Sequence, residues 1–259
     1  TTALIFPAAE VCRRARELGV LTLVDGAHVP GHLPLALDEL GADFYTGNCH
    51  KWLCAPKGAG FLHVRPEHHS RVQAPVVSWG YRDEVEGHTG FAAYTGSSVL
   101  ERRLQWQGTR DISAFLAVPS AIDFLRRLGW DELRRRCHAL ALAARESLGL
   151  LTGFAPICAD DEIGQMAAIE VPACDAEHLR AWLFSRDRIE VPVTTHGGRT
   201  FVRPAFHAYS DEADLDAASL MEQFLNDPSH DYKSLKYGDV MDGVIMHLDR
   251  EEILVDIGS

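Results

Sequence analysis

An acid and an amine stand out for their setting. Asp25 closes the apolar run Val20 to Val24 in the string V-D-G-A-H, and Lys51 follows His50 in G-N-C-H-K-W, just past the run Asp43 to Thr46. Both runs have the length and flanks of buried parallel strands. In an open α/β sheet, ligands sit beyond the carboxyl ends of the strands, so Asp25, His28, His50 and Lys51 point at one crevice. An amine must be neutral to attack an aldehyde, and burial beside other cations lowers a lysine's pKa enough to allow it. The same two residues could instead form a structural ion pair, and direct contact between them would mark that case.

The elements that must position these groups follow from the flanking sequence. Pro7 suits a first helical turn, and Ala8, Val11, Ala15 and Leu18 recur at helical spacing until Gly19 releases the chain into the strand ending at Asp25. Residues 35–41 read as a short helix ending at Gly41. Gly58 to Val64 reads as a further buried strand after the turn signal Ala55-Pro56-Lys57-Gly58. The order strand, helix, strand, helix, strand, strand is α/β.

The pattern strand-D-G-A-H, then G-x-x-H-K-W, resembles the class V aminotransferases of the fold-type I pyridoxal-phosphate enzymes. The string from Asp43 to Leu62 is most similar to the branch of isopenicillin N epimerase-like proteins and C–S lyases of sulfoxide substrates. The resemblance covers residues 1 to 219 and implies a partial large domain over residues 1–111, and linking helices with a small α+β domain over residues 112–220. It implies pyridoxal 5'-phosphate as cofactor, an amino acid as substrate, lyase or epimerase chemistry in preference to transamination, and a homodimer with shared active sites. Lys51 matches the lysine that holds the cofactor as an imine, Asp25 the partner of the pyridinium nitrogen, and His50 a phosphate or lysine neighbour. His28 stands where cysteine desulfurases often have a glutamine bonding the ring hydroxyl; histidine can fill that role or stack. Asp25 and Lys51 are not interchangeable with Glu and Arg in this chemistry.

Residues 66–111 are rich in Gly, Ser, Thr and His, with Trp79, Phe91, Tyr94 and Trp106 interspersed, as in a long ordered loop. Gly108-Thr109 matches a family motif whose hydroxyl reaches the phosphate of the neighbouring subunit's cofactor; a threonine there can equally be a helix cap. Arg110 and Asp111 can form a local ion pair with a capping Asp. No cysteine lies between Cys54 and Cys137, which argues against persulfide chemistry. Asp111 to Leu128 is amphipathic with a bend or restart at Pro119, and Trp130 to Leu150 is a second helix whose Arg134, Arg135 and Arg136 read as a solvated face. Gln165 to Val171, a helix from Asp175 to Arg186, Ile189 to Val193 and Thr200 to Arg203 make a small α+β series. Arg203 matches the family arginine that grips the substrate α-carboxylate. The family continues with Tyr-Asn where this chain has Tyr209-Ser210. Asp211 to Leu225 reads as a closing helix.

Beyond about residue 221 the chain resembles the opening of the S-one type RNA-binding domain of a ribosomal protein, with strands Val240 to Leu248 and Ile253 to Ile257. An OB-fold needs five strands and a basic, aromatic face. Residues 232–259 hold three basic and six acidic side chains, which argues against nucleic-acid binding. The 259 residues carry a net charge of −12, which also argues against a nucleic-acid or anionic-membrane surface. No apolar run approaches the length of a membrane span, and the six scattered cysteines have no metal-ligand spacing, as expected of reduced cytoplasmic thiols. The chain opens at Thr1 in what reads as mid-domain, and the resemblance places the phosphate cup and the ring-stacking aromatic upstream of it. The competing reading is therefore a non-catalytic truncated fragment joined to a partial RNA-binding module.

Overall fold

The computed structural model describes residues 2–78, 81, 98–216, 244–248 and 253–256, and the chain divides into two compact units, Phe6–Trp130 and Thr1–Ile5 with Asp131–Ser259. In the first unit, α1 (Ala8–Glu17) starts after Pro7, and Gly19 at φ +68° turns the chain toward β1 (Leu23–Asp25). The four-residue α2 (Leu37–Leu40) ends on Gly41 in the left-handed region, where a side chain would be strained. β2 (Phe44–Asn48) pairs in parallel with β1, Leu23 opposite Phe44 and Asp25 opposite Thr46, and antiparallel with β3 (Gly60–Val64). The expected parallel pair is therefore present.

The burial expected of the first strand is not. Among the described residues the order β1-β2-β3 has no strand beyond β1, and Val20 is 56% and Leu23 69% exposed, whereas Tyr45 in central β2 is 1% exposed. An apolar run records affinity for a core but not its place in the strand order. The expected apolar stripe of α1 is likewise uncovered: Val11 and Leu18 are exposed, and Cys12 is the helix's buried residue.

Buried Asp43 locks the start of β2. Thr22 donates to its carboxylate from backbone N at 2.8 Å and from Oγ1 at 3.0 Å, and His68 Nε2 lies 2.9 Å away. Burial alone would raise this carboxyl; the Thr22 and His68 hydrogen bonds and the His68 charge outweigh it and hold it at about 2. A carboxyl depressed in the folded state stabilises fully above its unfolded value near 4 and loses that contribution as pH falls toward 2. Asp43→Asn should cost about 2 kcal/mol at neutral pH and flatten the acid limb of stability, read from urea unfolding midpoints across that window. An acid limb as steep as that of the wild type would sink the assignment.

Past the sheet, α3 (Val99–Gln105) stands where only loop was expected. Ser98 and Glu101 form a reciprocal capping box, Glu101 N to Ser98 Oγ at 3.1 Å and Ser98 N to Glu101 Oε2 at 2.8 Å. α4 (Ser113–Leu116) and α5 (Val118–Arg127) are separated at the restart expected from Pro119. Asp111 Oδ1 accepts from Ser113 N at 2.8 Å, at the first residue of α4, and does not pair with Arg110, which donates to Gln107 Oε1 and Gln105 O and lies over Phe115.

In the second unit, α6 (to Thr152 from Trp130) and α7 (Ala176–Asp187, N-capped by Asp175) accompany a sheet ordered β4-β6-β5: β4 (Ile169–Val171), β5 (Val193–His196) and β6 (Arg199–Val202), all antiparallel. The strand expected at Ile189 to Val193 begins where that run ends. Pro192 has no N–H to give a ladder, and Gly197 and Gly198, both at positive φ, set a tight hairpin that pulls Val193 to His196 into register. The Arg134–Arg136 run is only partly a solvated face. Arg134 and Arg135 pair with Asp131 and Glu132 one turn earlier, but Arg136 donates to Ala208 O at 3.2 Å and Ser210 O at 3.4 Å.

Glu212–Asp216 is a 3₁₀ turn, and the rest of the expected closing helix lies outside the described residues, as do Trp79, Phe91 and Tyr94. Within the expected tail strands, β7 (Val244–Leu248) and β8 (Ile253–Asp256) form an antiparallel pair with a bulge between Ile245 and His247. Among the described residues no helix is long and apolar enough to cross a membrane.

Candidate cofactor site

The carboxyl ends of β1 and β2 carry four of the expected groups. After Asp25, Gly26 N extends the ladder to Thr46 O at 2.9 Å, and Asp25 Oδ1 accepts from Ala27 N at 3.0 Å, turning the chain sharply. Gly26 is required here: a Cβ would lie 1.9 Å from Tyr45 Oη, which sits 3.4 Å from Gly26 O. Burial first, and the Asp25 charge second, push the Tyr45 hydroxyl up to about 12, so it remains a neutral donor under the turn.

After β2, Cys49 N donates to Ala59 O at 3.0 Å and Ala55 N to Cys49 O at 2.9 Å, closing residues 49–59 into a loop. His50 Nδ1 donates to the same Ala59 carbonyl at 3.0 Å, which makes Nε2 its acceptor nitrogen when neutral. Lys51 O accepts from Cys54 N at 3.2 Å, so the lysine backbone is held at the head of this loop. The Lys51 side chain is exposed, a correction to the burial expected of it, because the described residues cover the loop's inner side only. Burial pushes the neighbouring Cys49 thiol up, so it stays protonated at neutral pH.

Asp25 and Lys51 make no ion pair with each other; among the described residues the structural-pair alternative finds no support. His28, half-buried, accepts from the Trp52 indole at 3.2 Å. The donor set fits pyridoxal phosphate: at adjacent parallel strand ends stand an amine for the aldehyde, unpaired among the described residues, and a carboxylate for a ring nitrogen with one oxygen unbonded among them.

Thr109 is not with this group. It is exposed beside Gly108 (φ +92°) and lines a cleft of about 1120 Å³ with Asn48, Phe61, Trp106 and Ile112, a cleft that Asp25, His28 and Lys51 do not line. Arg203 belongs to the other unit. It leaves β6 with its N bonded to Pro192 O at 3.0 Å and lines a cavity of about 670 Å³ with Phe206 and Tyr209. No hydrogen bond or ion pair engages its guanidinium among the described residues. The segment after it is pinned by Gln165, which exchanges bonds with Phe206 at 2.9 and 3.1 Å, and by Arg136. Ser210 Oγ accepts from His207 N at 3.2 Å, so serine closes the turn where the family has asparagine. Sequence reasoning missed α3, whose S-x-x-E box was the available signal, and the roles of Trp52 and Arg136, for which no local signal exists.

A mixed sheet with lysine and aspartate at parallel strand ends in one unit, and an antiparallel α+β sheet in the other, is the fold-type I architecture. The structure matches the apo structure of a cysteine desulfurase from Thermococcus onnurineus NA1 with TM-score 0.71 at 23% identity, over 86% of this chain and 56% of that one. The aminotransferase class-V model matches residues 1–218, and the chain belongs to that family, whose members are pyridoxal-phosphate enzymes that act on amino acids and are typically dimeric. Isopenicillin N epimerases from Amycolatopsis lactamdurans and Streptomyces clavuligerus are each 40% identical to it, over 83% of this chain and 55% of theirs. A hercynylcysteine sulfoxide lyase from Schizosaccharomyces pombe is 29% identical over 65% of this chain and 42% of its own. The chain thus spans about half the length of the curated relatives it matches.

Proposed function

We propose that this chain is the lysine-bearing part of a pyridoxal-phosphate enzyme that acts on an amino acid by elimination or epimerisation. The observation that carries the reading is the β1–β2 register: Asp25 sits opposite Thr46, and the closed loop after β2 presents Lys51, which has no partner for its charge among the described residues. When bound, the cofactor supplies an electron sink for charge developing at the substrate Cα. Asp25 keeps the ring nitrogen protonated, which sustains that sink. Lys51 would hold the cofactor covalently and, once displaced by substrate, is placed to take the Cα proton. Epimerisation and elimination share this first proton transfer, so one lysine serves either. His50 steadies the lysine or the phosphate through Nε2. Arg203 grips the substrate carboxylate through its bidentate fork. Thr109, exposed on its own cleft, serves the phosphate of the neighbouring subunit's cofactor in a homodimer.

The test is chemical. Incubation with pyridoxal phosphate followed by borohydride should leave a reduced adduct on the peptide carrying Lys51. Labelling of Lys57 instead, or no adduct at all, would refute the proposal.

A further inference from the structure

Residues 165–169 are buried in succession, and four of them are apolar: Met166, Ala167, Ala168 and Ile169. The exception is Gln165, 2% exposed, an amide placed where the core otherwise takes hydrocarbon. A buried amide is costly unless it is hydrogen-bonded. Gln165 is bonded twice to Phe206: its backbone O accepts from Phe206 N at 2.9 Å, and its Nε2 donates to Phe206 O at 3.1 Å. The same stretch runs on beside Met166, which bridges to Ala205, and Ala167, whose N donates to Pro204 O at 3.2 Å. Farther along, Arg136 of α6 donates through one nitrogen to Ala208 O at 3.2 Å and Ser210 O at 3.4 Å.

Residues 204–210 therefore follow Arg203 out of β6 held by two side chains, a buried amide near one end and a guanidinium at the other. Pro204 has no N–H to add to these bonds. Arg203, Phe206, Tyr209 and Ser210, all on this stretch, line the one cavity of about 670 Å³. We infer that Gln165 and Arg136 are positioning residues, which fix this wall so that the Arg203 guanidinium meets a carboxylate at a set place and angle. This rests on the reading of Arg203 given above and extends it to two residues that touch no substrate. A satisfied polar contact in a core specifies one arrangement where hydrocarbon would tolerate several. A planar fork gains from such aim, because less freedom is lost when the carboxylate binds.

Arg203 can be watched directly and without cofactor. Nitrogen NMR of the arginine Nε–H groups in the full chain, with the Arg203 signal identified by its loss in Arg203→Lys, should show that signal move on titration with L-alanine. Gln165→Met fills similar space without the amide, and Arg136→Met removes the second anchor. Each should weaken L-alanine binding about tenfold, at a temperature where circular dichroism shows the variant folded. Arg136→Lys, whose ammonium can donate to two carbonyls, should stay within about threefold of wild type. If Gln165→Met does not fold, the two Arg136 variants decide the matter. Wild-type affinity in the folded methionine variants, or equal losses in Arg136→Lys and Arg136→Met, overturns the inference and leaves the reading of Arg203 standing. A wild-type Arg203 signal that L-alanine does not move refutes that reading, and the inference falls with it.

Discussion

Lys51→Ala is expected to abolish covalent attachment of pyridoxal phosphate and the absorption of the bound cofactor near the violet edge of the visible. Attachment needs an amine, and the loop that presents Lys51 is closed behind it by the bonds Cys49 N to Ala59 O and Ala55 N to Cys49 O. The one other lysine among the described residues, Lys57, lies past Pro56 on the far limb of that loop, next to Gly58 at φ +95°. Nothing in the β1–β2 pairing brings it to Asp25. The effect should therefore be all or none in band amplitude, with cofactor left only loosely held. Absorption spectra and the mass of the borohydride-reduced protein measure it. A full band in the alanine variant would mean that another amine carries the cofactor.

Asp25→Asn should give the second large effect, in the opposite pattern: attachment retained, turnover lost. The amide oxygen can still accept from Ala27 N, so the turn after β1 keeps its 3.0 Å bond, while the charge that holds the ring nitrogen protonated is gone. An unprotonated ring is a poor electron sink, and a loss on the order of a thousandfold in turnover corresponds to about 4 kcal/mol of barrier. An internal control needs no cofactor. Tyr45 is held up at about 12 by burial and, in second place, by the Asp25 charge. Removing the charge lowers that value, so ultraviolet titration should show the buried tyrosine ionising at lower pH in the variant. Turnover equal to wild type with the adduct on Lys51 would remove Asp25 from the chemistry.

Local features were legible where the physics is local. Gly41 ends α2 because a left-handed residue was needed there, Asp175 caps α7 through the amides of Glu177 and His178, and the chain restarts at Pro119 because proline has no N–H to continue the helix. The hydrophobic run before Asp25 announced a strand, but not the exposure of Val20 and Leu23 among the described residues. α3 was hidden inside a stretch whose composition suggests loop, although its capping box is written in the sequence. The strand expected at Ile189 to Val193 moved because a glycine pair set the hairpin register, and register is a property of two strands at once.

The sequence by itself determined which chemical groups terminate which strands: Asp25 after one apolar run, His50 and Lys51 after the next, and Arg203 after a third. Those assignments depend on spacing along one segment, and spacing survives without knowledge of the fold. Tertiary structure alone decided that β1 pairs with β2 on one side only among the described residues, that Lys51 is exposed, that Thr109 and Arg203 line separate cavities, and that Trp52 reaches back to His28. Each of these depends on which segments meet, and hydrogen bonds between residues 24 or 72 positions apart leave no periodic mark in the chain.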